Sequence, residues 1–311
     1  MLIDFKKAFD CISWNFLNNC LEFFNFGNDI RKWIKVFNQN IKGTIIQCGH
    51  FSEFFEIKRG CRQGDPISPY LFIICAEILS VLMKKDMNIK GITVENTEFK
   101  LTQFADDTTL FLDGTRGSLL AALNVLEVFG SFSGLVMNSE KTQLIWIGKK
   151  RYCKETIDTD RPLLWHSKCF RLLGLDFSIN LNEMANMNYL KAIENIEKTL
   201  LNWKKQKLTP FGKICVVKTF ILSKLNHLFQ SLPTPEEKII ARINKLIFKF
   251  IWDDKPDKVS RKQCMQPYLS GGLNMVNITH FIKASKATWI KRIISGDDSD
   301  WKHLFDNFNN W

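Results

Sequence analysis

The decapeptide "TQFADDTTLF", residues 102–111, constrains this chain most. Asp106 and Asp107 stand side by side between "EFKLTQF" and "TTLFL", two runs rich in β-branched and aromatic residues that read as strands. A tight hairpin with acids at its tip is expected, and a fold that contains it must leave the tip open to water or to a cation. As a turn the pair is ordinary, because Asp bonds nearby backbone and tolerates unusual dihedrals. As a site it is demanding, because two close carboxylates repel and one pKa rises unless a cation neutralises them. Mg²⁺ is a hard ion often held by one or two carboxylates plus substrate phosphates. Both readings stay open on these residues alone. A third carboxylate and a reason to bind phosphate would separate them.

The third carboxylate is Asp4, at the end of the opening strand stub "MLIDF" and inside "DFKKAFDCISW". A strand-end acid beside an acid-tipped hairpin can assemble a two-metal site, with ions roughly 3.5–4 Å apart that stabilise attacking and leaving oxygens.

A helix is expected from about Ser13, its N-cap, to near Gly27. Asn28 is expected to cap a second helix with Ile30, Trp33, Ile34 and Phe37 on one face. "TIIQC" and "SEFFEIK" read as a hairpin. The Gly/Pro loop "RGCRQGDPISPYLF" leads into a long buried helix, with Pro66 and Pro69 fixing its start and Ser68 as the expected cap. "GITV", "TQLIWIG" and "FRLLGLDF" read as strands, and Leu119 to Phe132 as a helix. From Asn186 onward amphipathic, lysine-bearing helices dominate, broken at Pro233 and Pro235, with a polar connector "WDDKPDKVSRK" and a last helix "THFIKASKATWIKRII". The fold class is therefore α+β, with a helical, basic second part.

Composition sets outer bounds. The 311 residues, 45% of them apolar, suffice for one large or two ordinary domains. A formal charge of +11 favours a polyanionic partner. The 26 Phe and 9 Trp argue against disorder and offer stacking surfaces for bases. Nine cysteines, an odd number without a CxxC spacing, and an opening unlike a signal peptide read as reduced thiols in an intracellular protein. Cys153, His166 and Cys169 lack a fourth partner, so zinc is not expected. The run "YLFIICAEILSVLM" is short for a membrane span and contains Glu77, so a buried helix and no membrane association are expected.

"DFKKAFD", "RQGDPISPYLF", "FADD", "SGLVMNSEKT" and "FRLLGL" follow one another in the order of the polymerase motifs of reverse transcriptases. The chain resembles most those of LINE-type, non-LTR retrotransposons, and the likeness extends through "FIWDDKPDKVSRKQCMQPYLSGGLNMVNI". The resemblance implies a right-hand polymerase palm with an antiparallel sheet and packed helices over 1–180, the fingers largely missing. A helical thumb-like region would span 181–255 and a C-terminal helical extension 256–311. It implies metal ligation by Asp4, Asp106, Asp107 and the carbonyl of Phe5. Phe9 matches the bulky residue beneath the incoming sugar, where an aromatic would clash with a 2′-hydroxyl. Arg62, Gln63 and Gly64 match residues near template and nucleotide. Lys141 matches a lysine that protonates leaving pyrophosphate. Leu173 and Gly174 match the primer-grip turn.

The implied activity is RNA-directed DNA synthesis. It would use two Mg²⁺ ions (Mn²⁺ as a substitute), deoxynucleoside triphosphates, an RNA template and a DNA primer, in the nucleus. The alternative is a catalytically inactive nucleic-acid-binding remnant or fragment of such an element. That alternative rests on the chain opening at the first motif while keeping its basic helices. A maturase-like RNA-binding role and an unfolded fragment are the remaining readings.

Overall fold

The structure, a computed structural model, describes residues 1–94, 96–166 and 168–295. The chain forms two compact units, 1–168 and 169 onward. Each has its own apolar core, one built from residues between Met1 and Leu144 and the other from residues between Leu175 and Ile282. The last part of the expected C-terminal extension, 296–311, lies outside the described residues.

The first unit is organised by a five-stranded sheet in the order Leu164–His166, Gln143–Ile145, Leu2–Ile3, Asp107–Leu110, Leu101–Phe104. The expected antiparallel sheet is present over four strands. The fifth, Leu164–His166, joins Gln143–Ile145 in parallel. That strand was not foreseen, because "LWH" is too short to carry a period.

Helices Trp14–Phe23, Ser68–Lys85 and Arg116–Ser133 pack on one another beside this sheet. Phe72, Leu79, Met83, Leu126 and Phe129 are buried among them. Ser13 caps the first helix as expected, accepting from the Phe16 amide at 3.4 Å. Two other caps differ from expectation. Asn28 is the first residue of its helix, and Gly27 precedes it as cap. Ser68 likewise begins the Ser68–Lys85 helix. Asp65 serves that helix start instead, its carboxylate accepting from the Ile67 amide and the Ser68 hydroxyl, both at 3.2 Å. At the other end the ammonium of Lys100, itself buried, donates to the carbonyls of Lys84 (3.1 Å) and Asp86 (2.9 Å). It thereby satisfies orphan carbonyls and ties the helix to the strand that leads to the acid pair.

The second unit opens with the hairpin Cys169–Leu172 and Leu175–Ser178. Its helices follow: Leu181–Lys204, Pro210–Val216 continuing through a π turn into Ser223–Ser231, Glu237–Ile251 and Ile278–Ile294. The first begins five residues before the expected Asn186. Tyr189, Ile193, Phe229, Ile243 and Phe248 form the centre of this core.

Candidate active site

Asp4 follows the central strand Leu2–Ile3, which pairs antiparallel with Asp107–Leu110 in the register Leu2 to Thr109 and Ile3 to Thr108. One more step of that register brings Asp4 opposite Asp107. Asp107 in turn pairs with Phe104 across a two-residue turn, Ala105–Asp106. Ala105 adopts φ +53°, a left-handed conformation that costs an L-residue roughly 1–2 kcal/mol. The tip is therefore held in one unusual shape by well-buried strand behind it: Thr108, Thr109 and Leu110 are all buried. Strain of this kind concentrates at working sites.

The three acids act on one another. Desolvation, then the charges of Asp106 and Asp4, push the Asp107 carboxyl above its usual pKa. None of the ion pairs found among the described residues involves Asp4, Asp106 or Asp107. Among those residues, no three carboxylate, imidazole or thiol groups converge tightly enough to hold an ion as they stand. The donor set still fits a divalent cation. The oxygens are hard and mutually repelling, and Mg²⁺ takes only one or two protein carboxylates when phosphates complete its shell.

The backbone of Asp4 is held from both sides by the distant segment 138–142. Its amide donates to the hydroxyl of Thr142 (3.3 Å), and its carbonyl accepts from the Asn138 amide (2.7 Å). Asn138 closes a turn by accepting from the amides of Lys141 and Thr142. Phe5 forms an isolated bridge with Met137, and the Lys6 amide donates to the Val136 carbonyl. Lys141 is exposed on that turn. The "NSEKT" stretch is thus the clamp that positions Asp4. Thr142 and Asn138, which sequence reasoning did not single out, are its grips. Only their place inside a quoted motif could have flagged them.

A second clamp joins the segment after Asp4 to the "RQGDP" loop. Gly60 and Cys61 donate their amides to the carbonyls of Ile12 (2.8 Å) and Phe9 (2.6 Å), and the Trp14 indole donates to the Gly60 carbonyl (2.9 Å). Gly60 has φ +95°, and a Cβ there would lie 2.7 Å from the Asp10 carbonyl oxygen, so only glycine permits this approach. Gly134, at φ +83°, makes a like approach, where a Cβ would lie 2.2 Å from the Cys11 oxygen. Phe9 is half-buried and stacks on Phe72, ring centroids 4.3 Å apart. Arg62, Gln63 and Gly64 are exposed just beyond the clamp. Arg62 reaches the Phe37 carbonyl (3.4 Å) and the Asp65 carboxylate (3.8 Å), and Gly64 adopts φ +86° with open space around it.

Leu173 and Gly174 belong to the second unit. They form the two-residue turn of its opening hairpin with φ +48° and +80°, the left-handed pair such a turn requires. The His227 ring bonds the Leu173 carbonyl at 2.9 Å.

Asp4, held through its backbone, gathers with Asp106 and Asp107 at adjoining strand ends, and among the described residues none of the three joins an ion pair. Residues 1–177 match the family described as reverse transcriptase (RNA-dependent DNA polymerase). Over 98% of its length the chain is 24% identical to the "Transposon TX1 uncharacterized 149 kDa protein" of Xenopus laevis, of which it covers 23%. It is also 24% identical, over 98% of its length, to the "Retrovirus-related Pol polyprotein from type-2 retrotransposable element R2DM" of Drosophila melanogaster, of which it covers 28%. A Pol polyprotein from a type-1 retrotransposable element R2 of Popillia japonica matches at the same identity, with half of that protein covered. The chain belongs to the reverse transcriptase family, and its relatives bear out the resemblance to non-LTR retrotransposon proteins read from the motifs. It spans about a quarter of the length of the first two relatives. Among the described residues no helix is long and apolar enough to cross a membrane.

Proposed function

We propose that this chain carries the nucleotidyl-transfer core of an RNA-directed DNA polymerase, adding deoxynucleotides to a primer 3′-hydroxyl on an RNA template. The observation that carries this reading is the crowding of Asp4, Asp106 and Asp107, which together with desolvation raises the Asp107 pKa, while none of the ion pairs among the described residues involves them. Asp4 and Asp106 are the principal ligands for a pair of Mg²⁺ or Mn²⁺ ions, with Asp107 and the Phe5 carbonyl as further ligands. Such ions, when bound, neutralise charge on the attacking and leaving oxygens.

The chain's own residues do the rest by positioning. Phe9, braced by Phe72, forms the floor beneath the nucleotide sugar and excludes a 2′-hydroxyl. Arg62, Gln63 and Gly64 face nucleotide and template, with Gly64 permitting close backbone approach. Lys141 donates a proton to the departing pyrophosphate. Leu173 and Gly174 hold the primer, and the lysine-rich helices grip nucleic-acid backbone, so binding weakens steeply with salt. In this reading residues 1–180 act as palm, 181–255 as thumb and 256–311 as an extension, and the protein works on chromosomal DNA in the nucleus.

Primer extension on an RNA template with Mg²⁺, run with the chain and its Asp106→Asn variant, tests the proposal. Extension that disappears in the variant supports it. A folded chain that binds an RNA–DNA hybrid but extends nothing favours the second reading, a binding remnant. The lysine-bearing helices of the second part are what favour that alternative.

A further inference from the structure

The connector "WDDKPDKVSRK" and the loop after it present a surface of their own within the second unit. Phe211, at the start of the Pro210–Val216 helix, is 54% exposed and Tyr268 is 55% exposed. Their ring centroids lie 5.8 Å apart, with the planes tilted by 44°. Leu269, next to Tyr268, is fully exposed. Large apolar side chains scattered singly over a surface need no explanation. Here three adjoin, and the backbone beneath them is pinned.

The amides of Leu273 and Met275 both donate to the Cys264 carbonyl (3.1 and 2.9 Å), and the Gly272 amide donates to the Pro267 carbonyl (3.0 Å). The Gln263 side chain donates to the Ser270 carbonyl (2.8 Å). A Cβ on Gly272 would lie 2.0 Å from the Gln266 carbonyl oxygen, so only glycine permits this path. Cys264, Gly272 and Met275 are buried. Tyr268 and Leu269 are therefore carried outward by a loop with little freedom to fold them in.

The charge around the rings has one sign left over. Residues 204–213 and 253–272 are drawn together by the Lys204–Asp254 pair, by Lys213 and Asp253 at 2.6 Å, and by the ring contact itself. Three acids lie on these two segments, and each has a cation: Asp253 and Asp254 in those pairs, and Asp257 on Arg261 at 2.8 Å. Lys205, Lys207, Lys255, Lys258 and Lys262 are exposed, and none of them joins an ion pair among the described residues. Exposed ring faces beside uncompensated ammonium groups match a ligand with flat faces and repeated negative charge.

We propose that the Phe211–Tyr268 platform binds single-stranded nucleic acid, its rings stacking on unpaired bases while the lysines hold phosphates. A duplex does not suit the platform, because its base faces are covered by their neighbours in the stack. Every base has a π-face, so the surface should show little sequence preference. The inference goes beyond the polymerase reading, since it needs neither the three acids nor a metal ion.

The test uses the full chain in EDTA with a fluorescein-labelled, mixed-sequence single strand of about 16 nucleotides, long enough for a site of this kind. The blunt duplex that this strand forms with its complement is run in parallel. Anisotropy gives the affinity of the parent chain, of a Phe211→Leu/Tyr268→Leu variant, of Tyr268→Phe, and of a variant with the five lysines replaced by Gln. Single-strand affinity should fall at least ~10-fold in the double Leu variant, with duplex affinity little changed, and Tyr268→Phe should keep the parent affinity because it keeps the ring. The Gln variant should flatten the slope of log affinity against log salt by at least ~0.7, the share of one phosphate contact on a single strand. Both rings are more than half exposed, so the melting temperatures should match the parent's. Equal single-strand affinity in the parent and the double Leu variant, or an equal loss for duplex and single strand, overturns the proposal. Should the double Leu variant fail to fold, an unchanged salt slope in the Gln variant overturns it alone. Binding is read without divalent ions, so a failure of primer extension and a failure of this surface are separate results.

Discussion

Two groups of acids, one in each unit, are treated in opposite ways. In the second, acids stand beside cations. Asp253 meets the buried ammonium of Lys213 at 2.6 Å, Asp176 is flanked by Lys191 and Arg171, and Glu197 meets Arg242. In the first unit, where acids such as Glu22 and Glu98 do have cation partners, Asp4, Asp106 and Asp107 gather at adjoining strand ends in none of the ion pairs among the described residues, and the Asp107 pKa is raised. Paired charge serves the fold of the second unit, joining helix to connector. The unpaired cluster of the first unit is held in place by strand pairing and by the backbone clamp on Asp4. The difference teaches which acids to regard as structural and which as a site.

The largest expected effect breaks the comparison at the site. Asp106→Asn should lower primer extension by more than the ~10–100-fold typical of losing an outer-shell metal partner, while its melting temperature stays at or above that of the parent chain. Loss of folding in that variant would show the acid to be structural after all.

The mirror experiment is Asp253→Asn in the second unit. Asn keeps the left-handed backbone that Asp253 adopts at φ +53° and removes only the charge. Lys213 then keeps a buried ammonium without its ion partner. Because Asp253 is itself 57% exposed, the loss should be about 2 kcal/mol, below the 3–5 kcal/mol of a fully buried pair. Chemical denaturation measures it.

A smaller effect sharpens the role of the clamp. Thr142→Val removes the hydroxyl that accepts from the Asp4 amide but keeps the side chain's shape. The lost bond is worth about 1 kcal/mol. The Mg²⁺ concentration for half-maximal extension should rise a few-fold and return with Thr142→Ser. A stability loss with unchanged Mg²⁺ dependence would make Thr142 a packing residue only.

The smallest effect has the opposite sign. The folded-state pKa of Asp107 lies above its unfolded value, so its ionised form destabilises the fold at neutral pH. That penalty disappears as pH falls through the folded pKa towards the ordinary carboxylate range. Asp107→Asn should therefore be more stable than the parent at pH 7, by less than ~1 kcal/mol because water screens a mostly exposed carboxylate. The advantage should vanish near pH 3.

Much of this was legible in the sequence because it is local. The acid-tipped hairpin, the Ser13 cap, the long buried helix and the Leu173–Gly174 turn each rest on a few adjacent residues whose chemistry admits one conformation. What could not be read depends on residues far apart in the chain. The Thr142 and Asn138 grip on Asp4, the approach of Gly60 and Gly134 to the Cys11 region, and the parallel strand Leu164–His166 are long-range backbone contacts that leave no periodic trace. Helix starts were misplaced by one residue at Asn28 and Ser68, because polar residues near a helix start can cap it or begin it. At Ser68 the cap position is Ile67, whose amide bonds the neighbouring Asp65 carboxylate.

The most direct measurement is a Mn²⁺ titration, followed by electron paramagnetic resonance, of the full chain with primer, RNA template and a deoxynucleoside triphosphate, beside the Asp4→Asn and Asp106→Asn variants. A functional acid cluster predicts tight Mn²⁺ binding in the parent chain that weakens at least ~10-fold in each variant. Equal binding in all three would contradict it, and would leave the crowded acids as a solvated strand edge.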